Sequence, residues 1–179
     1  MNTIQKIYIS PKEGVPMHEV ATANLVAGKG VEGDRYFAGQ GGTFSKMLKR
    51  KTPSPSSALS ITSLETLNQF KELGVDVDPI SIRRNILLDS PKLETLLNKT
   101  FFLGNTVLYC GRFDYPCKVI EQYLGRSGLI EIGRNNSLWF SVRCQILLGG
   151  QIKIGDELRF PQTQEELDLI NSDAVLKVV

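Results

Sequence analysis

Two short stretches of this 179-residue chain carry side chains that could do chemistry together. One is Asp114-Tyr115-Pro116-Cys117; the other, upstream of it, is Arg83-Arg84-Asn85. A cysteine directly after a proline, at the end of a strand-like run, is held at a fixed point with its backbone approach restricted. Two arginines beside an asparagine, leading into the apolar run Ile86-Leu87-Leu88, put an anion-gripping fork at the start of a strand. A soft thiolate near an anion clamp suits a metal carried on a phosphorylated organic cofactor. The competing reading of Cys117 is an inert cysteine that packs as a small hydrophobe.

The elements that must position these groups are mostly strands. Ile4, Ile7 and Ile9 alternate with polar neighbours over residues 3–9 and predict a first strand; Glu19 to Ala27 reads as a further extended segment. Gly28, Gly30 and Gly33, followed by Asp34 and Arg35, form a loop in which backbone amides could crowd an anion. A tight turn with Asp34 and Arg35 fixing local geometry is the alternative, and the GK[ST] ending of a phosphate loop is missing. Residues 38–57 hold Gly39, Gly41, Gly42, Lys46, Lys49, Arg50, Lys51, Pro53 and Pro55, a basic excursion that reads as a lid over an anionic ligand or as a solvated insertion.

Downstream, Ala58 to Ile61 is strand-like. A Thr62…Glu65 capping box then opens a helix through Leu64, Leu67 and Phe70 that stops at Gly74. Ile80 to Leu88 is expected as one strand containing Arg83-Arg84-Asn85, and Ser90-Pro91 as the cap of a short helix through Leu93, Leu96 and Leu97. Gly104-Asn105 sits between two strand runs as a hairpin turn, and the second run delivers Cys117. One or two helical turns over 118–124, closed by Gly125, precede strands at 138–148, 151–154 and 157–160 and a terminal helix over 162–171. Short strands, glycine-rich turns and few helices predict a mainly β, α+β fold: a barrel with short peripheral helices, built as one domain over 1–179.

Composition narrows the partners. A net charge of +2 and a pI of about 8.4 give no global field for nucleic acid or a membrane surface. Met1 to Lys6 lacks the apolar stretch of a signal peptide, and no run approaches the roughly eighteen apolar residues of a membrane span. Three cysteines without a CxxC pair fit a reducing compartment, so a cytoplasmic location is expected. Cys110 and Cys144 fall inside apolar strand patterns. A zinc site from Cys110, Cys117, Cys144 and His18 lacks any close ligand pair. Trp139 and Phe140 read as core or as the wall of a pocket for a flat substrate.

Several of these pieces, in this order, resemble one family. Gly30-Val31-Glu32-Gly33-Asp34-Arg35, Arg83-Arg84-Asn85-Ile86, Asn98-Lys99-Thr100-Phe101-Phe102-Leu103-Gly104, Tyr115-Pro116-Cys117 and Gly149-Gly150-Gln151-Ile152-Lys153-Ile154-Gly155-Asp156 are similar to successive motifs of the MOSC domain, named after the C-terminal part of molybdenum cofactor sulfurases. The likeness covers about residues 20–160. It implies a strand-rich barrel whose cleft holds the molybdenum cofactor (molybdopterin), with Cys117 as metal ligand and catalytic residue. It further implies Arg83 on the phosphate, Asn85 and Arg84 beside the cofactor, and Asp34 and Arg35 in a partly structural role. The activity implied is reduction of N-hydroxylated small molecules by oxygen-atom transfer, with an external electron-donor protein.

Members fused to pyridoxal-phosphate-dependent sulfurases serve cofactor sulfuration; this sequence carries no aminotransferase-like half, so desulfurase chemistry is not expected in it. Where many members have a histidine after the Asp-Arg pair, Tyr36 stands here. Two other functions compete: a non-turnover carrier of the cofactor or of sulfur, and a barrel that only binds an anion through Arg83, Arg84 and the basic 46–51 segment.

Overall fold

The computed structural model of the protein describes residues 2–38, 59–90 and 92–172. Almost all of the basic 38–57 excursion therefore lies outside the described residues. The chain opens with β1 (Ile4–Ile9), β2 (His18–Val20), β3 (Thr22–Val26) and β4 (Gly30–Val31). There follow β5 (Leu59–Ser63), helix α1 (Leu64–Glu72), β6 (Ile86–Leu88), a 3-10 turn (Leu93–Leu96), β7 (Thr100–Leu103) and β8 (Thr106–Asp114). Helices α2 (Lys118–Leu124) and α3 (Leu129–Asn135) come next, then β9 (Ser141–Leu148), β10 (Gly150–Lys153), β11 (Leu158–Arg159) and α4 (Gln164–Ile170).

Among the described residues, eight strands form one sheet in the order β11-β7-β8-β9-β5-β6-β1-β2, and β10-β3-β4 form a second. The pairs are antiparallel except β5 with β6, which are parallel and joined through α1. The fold is mainly β with a few helices, as expected, but the expected barrel is corrected to an open sheet. Where closure would occur, β11 has only two residues, too few for a ladder with β1. The seam is a single bridge, Thr3 with Glu157, with Ile4 N–H to Asp156 O at 2.9 Å and Leu158 N–H to Asn2 O at 2.6 Å.

The main core is built by alternation. On β9, Val142, Cys144 and Ile146 turn into a cluster with Ile4, Ile7, Ile61, Ile86, Leu108 and Cys110, all inaccessible to solvent. Their neighbours Ser141, Arg143 and Gln145 point to the other face, and these are polar yet buried. A second cluster, with Phe70 and Phe140 at its centre (ring centroids 4.4 Å apart), packs α1, α2 and α3 together. Phe140 is thus core.

Three local expectations are revised. The N-cap of α1 is Ser63, whose hydroxyl accepts from Thr66 N–H at 3.3 Å, one residue later than the Thr62…Glu65 spacing suggested. The 3-10 turn at Leu93–Leu96 starts from Lys92 with no side-chain cap. The strand expected over 80–88 survives only as β6. Ahead of it, Asp78 ties down Ser81 through N–H at 2.9 Å and Oγ at 2.7 Å, and Pro79 O receives Arg84 N–H at 2.9 Å. That turn forces Arg83 into the left-handed region at φ 58°, a conformation a non-glycine residue holds at a cost of about 1 kcal/mol or more. The reward is placement: consecutive arginines reach different partners, Arg83 the Val15 carbonyl and Tyr123, Arg84 the carboxylate of Asp114.

Candidate functional site

Asp114 ends β8, opposite Ser141 on β9. Its Oδ2 receives Arg84 Nη1 at 2.6 Å, Arg143 Nε at 2.8 Å and Arg143 Nη2 at 2.8 Å. Burial alone would push this carboxyl up, but Arg143, Arg84 and Arg112 outweigh it and hold Asp114 well below the usual carboxylate range. Burial lowers Arg84, partly offset by Asp114; for Arg143 the attraction of Asp114 overcomes burial and raises it.

Tyr36 lies in the same cluster, with the Arg35 guanidinium 4.7 Å and that of Arg143 5.4 Å from its ring centre. Arg143 first, then Arg35 and Arg84, bring its phenol below the ordinary range against the opposing effect of burial. Arg83 is close enough to Arg35 for that charge to act on it, after burial, as a lowering influence.

Arg35, Arg83, Arg84, Arg112 and Arg143 therefore act in a region that holds the carboxylates Asp34 and Asp114, so positive charge is in excess. Several donors are also unspent. Arg35 Nη1, Arg84 Nε and Arg143 Nη1 are buried without a hydrogen-bond partner, as is the Ser141 hydroxyl. Arg35 Nη1 lies 3.7 Å from Asp34 Oδ2, an ion pair too long for a hydrogen bond. A buried charged donor left unpaired costs about 1–3 kcal/mol, so a group of them is tolerated where something else supplies acceptors.

Cys117 stands three residues after Asp114, exposed, in extended conformation (φ −138°, ψ 164°), as the residue from which α2 starts. Its side chain makes no capping bond, so the sulfur is free, while its carbonyl accepts Glu121 N–H at 3.0 Å. It is within electrostatic reach of Arg84. The approach is fixed from behind by α3: Gly133 packs so tightly on Pro116 that a Cβ there would come within 2.8 Å of the ring. Trp139 stacks on Phe113 at 3.7 Å, with Tyr115 edge-on at 6.0 Å, and flanks the same turn.

Among the residues predicted for the site, Arg84 and Arg35 bring free donors to it, and Cys117 brings an open sulfur. Arg83 and Asn85 are differently engaged. Arg83 Nη1 donates to Val15 O at 2.8 Å and Tyr123 Oη at 3.1 Å, and Nη2 to Ser10 Oγ at 3.2 Å. It ties α2, and so Cys117, to the loop after β1.

Asn85 Oδ1 receives the Ser60 N–H at 3.2 Å and the Ser60 hydroxyl at 2.8 Å. Its Nδ2 donates to Tyr8 O at 3.2 Å and Asp34 Oδ2 at 3.3 Å. Asp34 in turn receives Ser10 N–H and Tyr36 N–H, both at 3.1 Å. Asn85 and Asp34 thus form a closed polar node. Sequence reasoning missed Arg143; a charge inside the otherwise apolar-alternating run Ser141-Val142-Arg143-Cys144 was the available signal. Cys110 and Cys144 are core, and no group of three or more His, Cys, Asp or Glu could hold a metal among the described residues, which leaves the zinc arrangement without support.

A sequence model of the MOSC domain matches residues 48–159. The chain belongs to the MOSC domain family. Membership associates it with the molybdenum cofactor. The fold is similar to solved structures of low identity. YuaD protein from Bacillus subtilis is 23% identical over 88% of this chain and 93% of its own, with a TM-score of 0.67. YiiM from Geobacillus stearothermophilus is 11% identical over 96% and 84% (TM-score 0.66), and YiiM from Escherichia coli 16% identical over 95% and 77% (0.61). No curated protein matches the sequence.

The residues present fit such a cofactor: unpaired buried guanidinium atoms suit a phosphate, and an open sulfur suits a soft metal. Among the described residues no helix is long and apolar enough to cross a membrane.

Proposed function

We propose that this MOSC protein binds the molybdenum cofactor and reduces N-hydroxylated small molecules with electrons from an external donor protein. The observation that carries the reading is the group of unpaired guanidinium atoms on Arg35, Arg84 and Arg143, with Arg84 in electrostatic reach of the exposed Cys117. The phosphate falls to these three arginines, because Arg83 has its Nη donors committed inside the protein. The surplus of positive charge there suits a phosphate monoester, which carries about −1.5 to −2 near neutral pH. Cys117 is the metal ligand. It is held by Pro116 against Gly133 and by Arg83 through Tyr123 on α2. Asp114 orients two of the guanidiniums and stays ionised while doing so.

The chemistry such a group supplies when bound is two-electron removal of the hydroxyl oxygen from N–OH, which with two protons leaves an amine and water. Tyr36, where a histidine is frequent in the family, puts a phenol among the arginines of the cluster. The open Cys117 sulfur equally suits a second reading, a carrier that hands on cofactor or sulfur without turnover.

Metal analysis of protein purified from cells supplied with molybdenum, beside Cys117→Ser, tests the binding. Stoichiometric molybdenum lost in the variant is expected, and absence from both defeats the proposal. Reduction of N-hydroxylated substrate with an artificial reductant separates the enzyme from the carrier.

A further inference from the structure

Away from the arginine cluster, two thiols face each other in the main core. Cys110 on β8 and Cys144 on β9 are register partners, and both are free. The Cys110 N–H donates to Lys99 O at 3.0 Å, and its carbonyl accepts Asn98 N–H at 2.8 Å, so both backbone groups point towards β7. In an antiparallel ladder a residue turns its N–H and C=O to the same side. Across to β9 the cysteines are therefore a non-hydrogen-bonded pair, the arrangement in which opposed Cα atoms approach to about 4.5 Å and side chains come closest. Disulfides span Cα separations of roughly 4.4–6.8 Å. Both side chains point into the same cluster, with their thiols in hydrogen-bonding contact.

We propose that Cys110 and Cys144 are an oxidative modification site, converted by a peroxide into a disulfide that staples β8 to β9. Cys110 is the attacking group: hydrogen bonding from the Cys144 thiol bring its own thiol below the ordinary range despite burial, whereas burial and the neighbouring Cys110 push Cys144 well up. The Cys110 thiolate attacks one peroxide oxygen; the S–O bond forms, the O–O bond breaks, and the leaving hydroxide takes a proton to become water. Cys144, giving up its proton, then attacks the Cys110 sulfur of the resulting sulfenic acid, and the second oxygen leaves as water. Two thiols have lost two electrons and two protons, and one hydrogen peroxide has become two waters.

Both sulfurs are sealed from solvent, so the oxidant must be small and the strands must part locally. The β8–β9 register shifts between Cys110 and Arg112, at Gly111, which puts an irregularity in the ladder beside the pair. The staple would fix the two strands that carry Asp114 and Arg143 without touching either residue.

The test uses the full chain carrying Cys117→Ser, treated with hydrogen peroxide, denatured, alkylated and mapped by mass spectrometry. The expected product lacks two hydrogens, resists alkylation at both positions, yields one cross-linked peptide and returns to two free thiols with dithiothreitol. Its melting midpoint should rise by about 5 °C or more, as a bond closing a loop of this length implies. Two alkylatable cysteines after treatment, or a sulfinic acid on either without a cross-link, would overturn the proposal. In Cys144→Ala the Cys110 sulfenic acid should be trapped by dimedone. Trapping only on Cys144, in Cys110→Ala, overturns the assigned order of attack.

Discussion

Two polar nodes lie buried in this protein, and they differ in what is left over. Around Asn85 and Asp34 every amide and carboxylate oxygen has a partner inside the chain: Ser60, Tyr8, Ser10 and the Tyr36 backbone. Around Asp114, the Arg84 and Arg143 guanidiniums and the Ser141 hydroxyl have atoms with none. Arg35, whose unpartnered Nη1 lies 3.7 Å from Asp34 Oδ2 and whose guanidinium covers Tyr36, stands between the two nodes. Both nodes are rich in the residue types that bind ligands, but the unspent donors gather on the Asp114 side. Burial of polar residues is therefore a poor guide to a site; incomplete satisfaction is the better one.

The sharpest way to break that contrast is to remove the anion that holds the open node together. Asp114→Ala leaves Arg84 and Arg143 buried without their shared carboxylate, and should lower stability by about 3–5 kcal/mol, measured by urea unfolding at neutral pH. A pH series sharpens it. Because the folded protein holds this carboxyl below its ordinary value, its stabilisation is complete above about pH 4 and is lost as pH falls through the lower folded value. The parent protein should thus lose stability on acidification, and the variant should lack that part of the slope. Equal slopes would mean that the arginines do not depend on Asp114.

Next in size is the closed node. Asn85→Ala deletes four hydrogen bonds, taking the acceptor from the Ser60 N–H and O–H and a donor from the Tyr8 carbonyl, a loss of about 2–3 kcal/mol. The comparison requires that the fraction that still folds respond to phosphate as the parent does. A lost phosphate response with stability intact would make Asn85 a ligand residue and erase the distinction.

How far the sequence exposed this organisation follows from range. The Gly104-Asn105 hairpin, α2 with its Gly125 stop (φ 60°) and β1 were readable because turn chemistry and alternation are local. Strand closure was not: whether β11 reaches β1 depends on the two-residue length of one edge, which alternation cannot report. The Ile80–Leu88 run looks like a strand because its apolar pattern is right, yet the Asp78–Ser81 bonds and Pro79 bend its first half into a turn. In the site, Cys117 and Arg84 were visible through their motifs. Arg143 was hidden because it sits 29 residues from its partner Asp114 and looked like an interruption of a strand. That Asn85 is saturated could be seen only once Ser60, Tyr8 and Asp34 had been brought to it by three different elements.

A smaller effect on stability, with a larger one on binding, is expected at Arg143. Arg143→Gln keeps an amide able to reach Asp114 and removes a charge with an unpaired nitrogen, so stability should fall by about 1 kcal/mol or less, against the 3–5 kcal/mol range for Asp114→Ala. Millimolar phosphate should raise the parent's melting midpoint and leave this variant's unchanged. A variant that retains the phosphate shift would move the anion away from the open node.

The smallest effect on folding is expected at the sulfur itself. Cys117 is exposed and caps no amide with its side chain, so Cys117→Ser should stay within about 0.5 kcal/mol of the parent. Its phosphate-dependent melting shift should also persist, because the arginines that hold the anion are untouched. Only molybdenum content should change. That combination would divide the open node into an anion grip and a metal ligand acting side by side. Loss of the phosphate shift along with the metal would instead mean that the thiol helps hold the arginines in place.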